Sequence, residues 1–266
     1  MPDAEMPDAE MPDTTTTTID IRDLDIERGH RSVLQIDHLQ IAPGYTALVG
    51  PNGSGKSTLL HAIAGLLEPT SGQLVVGSSS AGSFRRLVAY VLQSQRGSEH
   101  LLVTAREVVG LARITSPWKR LRTDDRRAID DAMERLDVAH LGSRHLAEMS
   151  GGQRQRVFIA QGLAQESDIL LLDEPVAGLD LASAQTIRAA VDDERNSGRT
   201  VVVATHDLEE AARADHVVML NGRMIAEGAP ADVLTADVLR EVYAGRVLDI
   251  GAGIVVDDGV HHDHPR

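Results

Sequence analysis

The stretch Gly50-Pro51-Asn52-Gly53-Ser54-Gly55-Lys56-Ser57-Thr58 combines glycines, one lysine and two hydroxyls in the order G-x-x-x-x-G-K-[ST]. Glycines let successive backbone N–H groups turn inward around an anion, and a helix that starts at once adds its positive end. In such a cradle Lys56 is placed to reach the β- and γ-phosphates of a nucleotide, and the Ser57 hydroxyl to ligate Mg²⁺. Asp173 and Glu174 close the apolar run Ile169-Leu170-Leu171-Leu172. A carboxylate at the carboxyl end of a buried strand stands where ligands of open α/β sheets bind. Asp173 suits the Mg²⁺ shell. Glu174, facing the other way, suits polarising an attacking water, although two such acids also fit helix N-caps. Ser150-Gly151-Gly152-Gln153 opens a second anion-ready helix, with Ser150 as its cap. One nucleotide does not need both termini from one chain, so two copies placed head-to-tail, each completing the other's site, are expected.

The surrounding pattern supplies strands that feed helices. Ile19-Asp20-Ile21 and Leu24-Asp25-Ile26 alternate as strands do, and residues 33–41 read as another strand. A Pro43-Gly44 turn precedes a buried-type strand at 45–49, which runs straight into the glycine-rich segment. A helix is expected at 58–67 and a strand at 87–92. From about 101 to 165 apolar residues recur at three- and four-residue spacing, as at Ala128-Ile129, Ala132-Met133 and Leu136. Strand 169–172, helix 181–194, strand 200–204 and helix 208–214 then alternate. That rhythm implies an α/β fold, a mainly parallel sheet covered by helices, interrupted by a helical insert.

The 266 residues suffice for one sizeable α/β domain, and 42% hydrophobic with 25% charged residues is ordinary for a globular protein. A formal net charge of -14 argues against nucleic acid as a partner, since phosphate tracking needs a basic surface. A nucleotide needs only one local cradle. The absence of cysteine excludes disulfides, thiolate catalysis and Cys-based metal sites, and fits a reducing compartment. The acidic start lacks the pattern of a secretory leader, and no apolar run is long enough to span a bilayer. If the chain works in transport, other chains must supply the channel. Residues 1–18 repeat Met-Pro-Asp-Ala-Glu and end in five threonines, a composition expected to be a disordered tail that leaves the true start open. His261, His262 and His264 close the chain; a solvated tail is the simpler reading beside metal collection.

Taken together, residues 19–247 resemble the ABC ATPase family. Met149-Ser150-Gly151-Gly152-Gln153 is similar to its signature motif, with methionine where leucine is usual. The resemblance implies a P-loop core with a small antiparallel β subdomain and an inserted helical subdomain at about 97–165, and a C-terminal extension at 249–266. It also implies ATP and Mg²⁺ as cofactors. It makes Gln93 a Mg²⁺-sensing residue that couples to the membrane partner. Asp180 belongs to the D-loop in Ala177-Gly178-Leu179-Asp180, and His206 in Thr205-His206-Asp207 becomes the switch histidine at the γ-phosphate and water. Lys56, Glu174, His206 and Gln93 are thereby the catalytic set, and Ser57, Gln93 and Asp173 the metal set. One departure stands out: where the family stacks adenine on an aromatic residue, this chain has Arg28, whose guanidinium can stack on a base or remain solvated.

Residues 155–161 and 177–180, with 89–93 and 103–110, are most similar to ATPases of manganese/zinc importers. Residues 226–230 and 241–243 are also similar to the siderophore, haem and cobalamin importer group. A soluble iron–sulfur assembly ATPase is the other single-domain acidic possibility. The importer resemblance implies transmembrane permease subunits, an extracytoplasmic substrate-binding protein acting indirectly, a homodimer of the ATPase, and a place at the cytoplasmic face of the membrane.

Overall fold

A computed structural model describes residues 18–77, 87–92, 102–114 and 120–243, and the backbone of two short strands at 247–249 and 254–256. The expectations for the N-terminal tail, for Gln93 and for the three terminal histidines lie outside those residues, as do 95–101 and 115–119.

Among the described residues there are two main sheets and a two-stranded antiparallel pair at 247–249 and 254–256. The smaller main sheet is antiparallel, in the order β2-β1-β4, from β1 (Ile19–Arg28), β2 (Arg31–Ile41) and β4 (Ser71–Val76). The larger has six strands. β3 (Gly44–Val49), β5 (Val88–Val91), β6 (Ile169–Asp173), β7 (Thr200–Thr205), β8 (His216–Leu220) and β9 (Met224–Gly228) lie in the order β5-β6-β7-β3-β8-β9. All its pairings are parallel except β8–β9. β1 is one continuous strand rather than the two segments expected, because a register irregularity between Arg22 and Asp25 absorbs the break in alternation. Asp23 there takes a left-handed φ of 48°.

Both faces of the larger sheet are buried, and its side chains divide between them with period two. Ala47, Val49, Leu170, Leu172, Val201 and Val203 face one core. That core is covered by α4 (Gly151–Ala164) and α5 (Leu181–Asn196), with α2 (Ala105–Leu111) and α3 (Thr123–Arg135) of the helical insert. Leu48, Ile169, Leu171, Val202 and Ala204 face the other core, against the small sheet and α1 (Lys56–Ile63). Each fully buried Leu, Ile or Val contributes about 1.5–3 kcal/mol. That is why the continuous apolar runs read from the sequence became interior strands. α1 begins at Lys56, two residues before the expected start, and ends at Ile63. Beyond Thr205 the chain forms the short α6 (Leu208–Ala211), and after β9 come α7 (Pro230–Val233) and α8 (Ala236–Val242).

The insert is tied to the core by charge as well as by packing. Arg113, beyond α2, donates to Asp125 at 3.0 Å, to the Ala164 carbonyl at 3.1 Å and to Glu166 at 2.6 Å. One guanidinium therefore joins α2, the start of α3 and the end of α4.

Candidate functional site

Sheet register brings the sequence motifs to one edge. β3 lies beside β7 with Val49 opposite Thr205, and β6 lies beside β7 with Asp173 opposite Ala204. The glycine-rich loop leaving β3, the acids ending β6 and the histidine following β7 thus share the carboxyl edge of adjacent parallel strands, where α/β sheets bind ligands.

The loop is built for close backbone approach. A Cβ added at Gly50 would lie 2.1 Å from the Leu220 carbonyl oxygen, and Gly55 caps α1 with a left-handed φ of 104°. Gly55 has no side chain, so the first N–H groups of α1 lack a side-chain cap. α2, α4, α5, α6 and α8 are capped by Thr104, Ser150, Asp180, Asp207 and Thr235. The amides at the mouth of α1 are left for an anion. Ser54 Oγ is buried there without a hydrogen-bond partner. Pro51, Asn52 and Gly53 form the outer turn, with Ser54 N–H donating to the Pro51 carbonyl at 3.1 Å. Lys56 is 5% exposed and its Nζ donates to the Gly50 carbonyl at 2.6 Å and the Pro51 carbonyl at 3.1 Å. Burial pulls its pKa below the ordinary lysine value, while Glu174 and Asp173 oppose that pull. Ser57 and Thr58 follow in the first turn of α1, with Ser57 exposed.

Asp173 is buried, and its Oδ2 accepts from the Tyr90 hydroxyl at 3.4 Å across the β5–β6 pair. Burial first, then Asp173, drives the Tyr90 phenol far above its usual pKa, so it stays a donor. Together Ser57 and Asp173 supply the hard oxygen donors that Mg²⁺ takes, so the residues present fit that ion. Glu174 adopts a left-handed φ of 48°, a strained conformation for a residue with a side chain. Its N–H donates to the Ala204 carbonyl at 2.9 Å, extending the β6 ladder by one bond before the chain turns away. The carboxylate then meets His206, with Nδ1 3.5 Å from Oε1; Glu174 is 13% and His206 41% exposed.

A second group forms apart from this one. The Ser150 hydroxyl accepts from Gln153 N–H at 3.2 Å, and Gln153 Oε1 accepts from Ser150 N–H at 3.0 Å, a reciprocal cap on α4. Gly151 carries no close neighbour. A Cβ on Gly152 would lie 2.7 Å from Ser183 Oγ and 3.3 Å from Asp180 Oδ2, so α4 and α5 start side by side. Asp180 itself accepts from the Ser183 N–H and hydroxyl, both at 2.9 Å, and these bonds hold its pKa below the usual carboxylate range. Arg28 is exposed at the tip of the β1–β2 hairpin, opposite Arg31.

A model of the family described as "ABC transporter" matches residues 34–177, more than half of the chain. The chain belongs to the ABC transporter family. It is similar to the manganese transport system ATP-binding protein of Halalkalibacterium halodurans, 37% identical over 222 residues covering 82% of this chain and 88% of that protein. It is also similar to the cobalamin import ATP-binding protein of Halobacterium salinarum, 39% identical over 240 residues covering 86% of this chain. The match spans only 60% of that relative's length. Among solved structures, a dimeric ATP-binding cassette in a post-hydrolysis state with ADP and Pi superposes with a TM-score of 0.70. Identity there is 27%, covering 80% of this chain and 98% of that one. Among the described residues no helix is long and apolar enough to cross a membrane. Tyr90 escaped the sequence reading; its parity on β5, beside Leu171 of β6, is what carries its hydroxyl to the strand end.

Proposed function

We propose that this subunit powers import of a divalent metal cation, manganese or zinc, by ATP hydrolysis at a site completed by a second copy of itself. The observation that carries the substrate reading is the extended similarity to the manganese transport ATP-binding protein, which covers most of both chains. A cobalamin-type cargo is the second reading, favoured by the 39% identity to the cobalamin import relative.

In the proposed cycle, residues 50–58 wrap the ATP phosphates, and Lys56 exchanges its two carbonyl partners for the β- and γ-phosphate oxygens. Ser57 and Asp173, with Gln93, would hold Mg²⁺. When bound, that ion neutralises charge developing on the phosphates. Glu174 accepts a hydrogen bond and then the proton from the attacking water as His206 holds the γ-phosphate side of the pair, while the bond from the γ-phosphorus to the bridging oxygen breaks and ADP leaves. Ser150, Gly151, Gly152 and Gln153 of the second copy present the α4 terminus to the same phosphate, and Asp180 lies at the seam between copies. Arg28 is assigned to the base. Permease subunits receive the motion at the cytoplasmic face of the membrane, and an extracytoplasmic binding protein delivers the ion.

The test is cellular manganese, zinc and iron by mass spectrometry under metal limitation, with and without the gene. A selective fall in manganese or zinc, restored by the wild-type gene but not by Glu174→Gln, is expected. A fall in iron alone, or no change in any metal, would overturn the cation reading.

A further inference from the structure

Three elements that the proposed cycle uses meet at one buried carboxylate outside the nucleotide site. Glu210, on α6, is 4% exposed. Its Oε2 accepts from Arg188 Nε of α5 at 2.6 Å, and its Oε1 lies 3.9 Å from Arg213 Nε. The hydroxyl of Tyr45, on β3 and 1% exposed, donates to the Glu210 backbone carbonyl at 3.3 Å and approaches Oε1 at 3.4 Å. Arg213 is itself held by Asp192 of α5 at 2.7 Å. β3 is the strand that enters the phosphate loop, α5 is capped by Asp180, and α6 starts two residues after His206.

We infer that Glu210 is a positioning residue that sets where His206 stands relative to Glu174. α6 has four residues, too few to hold a helical turn by its own hydrogen bonds. Its N-terminal end is fixed locally: Asp207 N–H donates to Thr205 Oγ1 at 3.0 Å, and Asp207 Oδ1 accepts from Glu209 N–H at 2.8 Å. Those bonds shape the turn but do not anchor it to the rest of the fold. Ala211 packs into the core, and the polar anchor beside it is Glu210, clamped between α5 and β3. His206 lies between strand β7 and this anchored turn, so its backbone is set from both sides. Displacement of α6 moves His206 relative to Glu174, which is pinned to β7, upstream of α6, by the Glu174 N–H bond to the Ala204 carbonyl.

This inference rests on the role given to His206 above, and a double-mutant cycle on the full-length chain separates the two. The readouts are single-turnover ATP hydrolysis, KM for Mg·ATP and affinity for a fluorescent ATP analogue. Glu210→Gln keeps the shape and removes the charge that Arg188 faces. It is expected to lower kcat about tenfold while KM and nucleotide affinity stay within about twofold. His206→Ala is expected to lower kcat more, about a hundredfold. The double variant should match His206→Ala alone, because a residue acting only through His206 has nothing left to position. A further tenfold loss in the double variant, or a folded Glu210→Gln with unchanged kcat, would overturn the inference. If Glu210→Gln does not fold, Tyr45→Phe takes its place in the cycle with the same expected non-additivity. His206→Ala with unchanged kcat would remove the role given to His206, and this inference with it; additivity would remove the inference alone.

Discussion

His206 Nδ1 and Glu174 Oε1 stand 3.5 Å apart, converging from the ends of the paired strands β7 and β6. A carboxylate next to an imidazole at the mouth of a phosphate cradle is an arrangement for orienting water. Glu174→Gln preserves size and removes basicity. Hydrolysis by that variant should fall by about 10²–10⁴, the usual reach of a general base, with ATP affinity unchanged. Phosphate release and equilibrium nucleotide binding read the two quantities separately. Retained turnover would take Glu174 out of the chemistry.

Lys56 should show its site by proton linkage. Burial holds its folded pKa below the ordinary value of 10.5. Between that depressed pKa and the ordinary one, the unfolded chain binds more protons than the nucleotide-free fold, so stability of the free protein rises with pH across this window. Phosphates favour the ammonium, so ATP binding takes up protons in the same window and weakens as pH rises. Calorimetric heats in two buffers of different ionisation enthalpy should differ at alkaline pH for the wild type and coincide for Lys56→Ala. That variant should also lose about ten- to a hundredfold in ATP affinity, from hydrogen bonds to charged groups of about 1.5–3 kcal/mol. Unchanged affinity would mean the phosphates sit elsewhere.

The side chain of Ser150 caps its own helix and, in the proposed dimer, faces the other copy's nucleotide. Ser150→Ala should cost about 1 kcal/mol of stability from the lost cap, a fall of roughly 2–4 °C in Tm for a chain of this size. Its hydrolysis should fall far more than that loss explains, while ATP binding to the single chain is kept. Thermal unfolding and ATPase assays on one preparation check both. Activity that falls only in step with stability would confine Ser150 to capping.

Tyr90→Phe removes the donor to Asp173 and leaves the ring, which sits edge-on to His61 at 5.5 Å between centroids. The Mg²⁺ concentration for half-maximal hydrolysis should rise several-fold, and nucleotide affinity in the presence of a chelator should not change. A fluorescent nucleotide titrated with and without Mg²⁺ distinguishes this from general damage, which would weaken both.

Much of this site was legible in the residues because local chemistry dictates it. A glycine loop ahead of a lysine and an apolar strand ending in two acids do the same work wherever the chain places them, and Ser150 followed by Gln153 three residues later marks a helix start. The sheet order was not legible, because β3 pairs with β7 and β8, more than 150 residues away, and no spacing reveals that. Strands β8 and β9 went unread behind the short helical turns around them. The left-handed turn at Glu174 was hidden too, since nothing in a glutamate's type announces a φ that usually belongs to glycine. Tyr90, Tyr45 and Glu210 act through partners on other elements, and such contacts exist only once the sheet has formed.

The most direct test of the central claim, a shared site between two copies, is the mass of Glu174→Gln in solution with excess Mg·ATP, measured by light scattering after size exclusion. If the two phosphate-ready helix termini serve a shared site, the particle should have the mass of two chains, returning to the 28.6 kDa of one when ATP is withdrawn. A particle of one chain at saturating ATP would contradict the shared site.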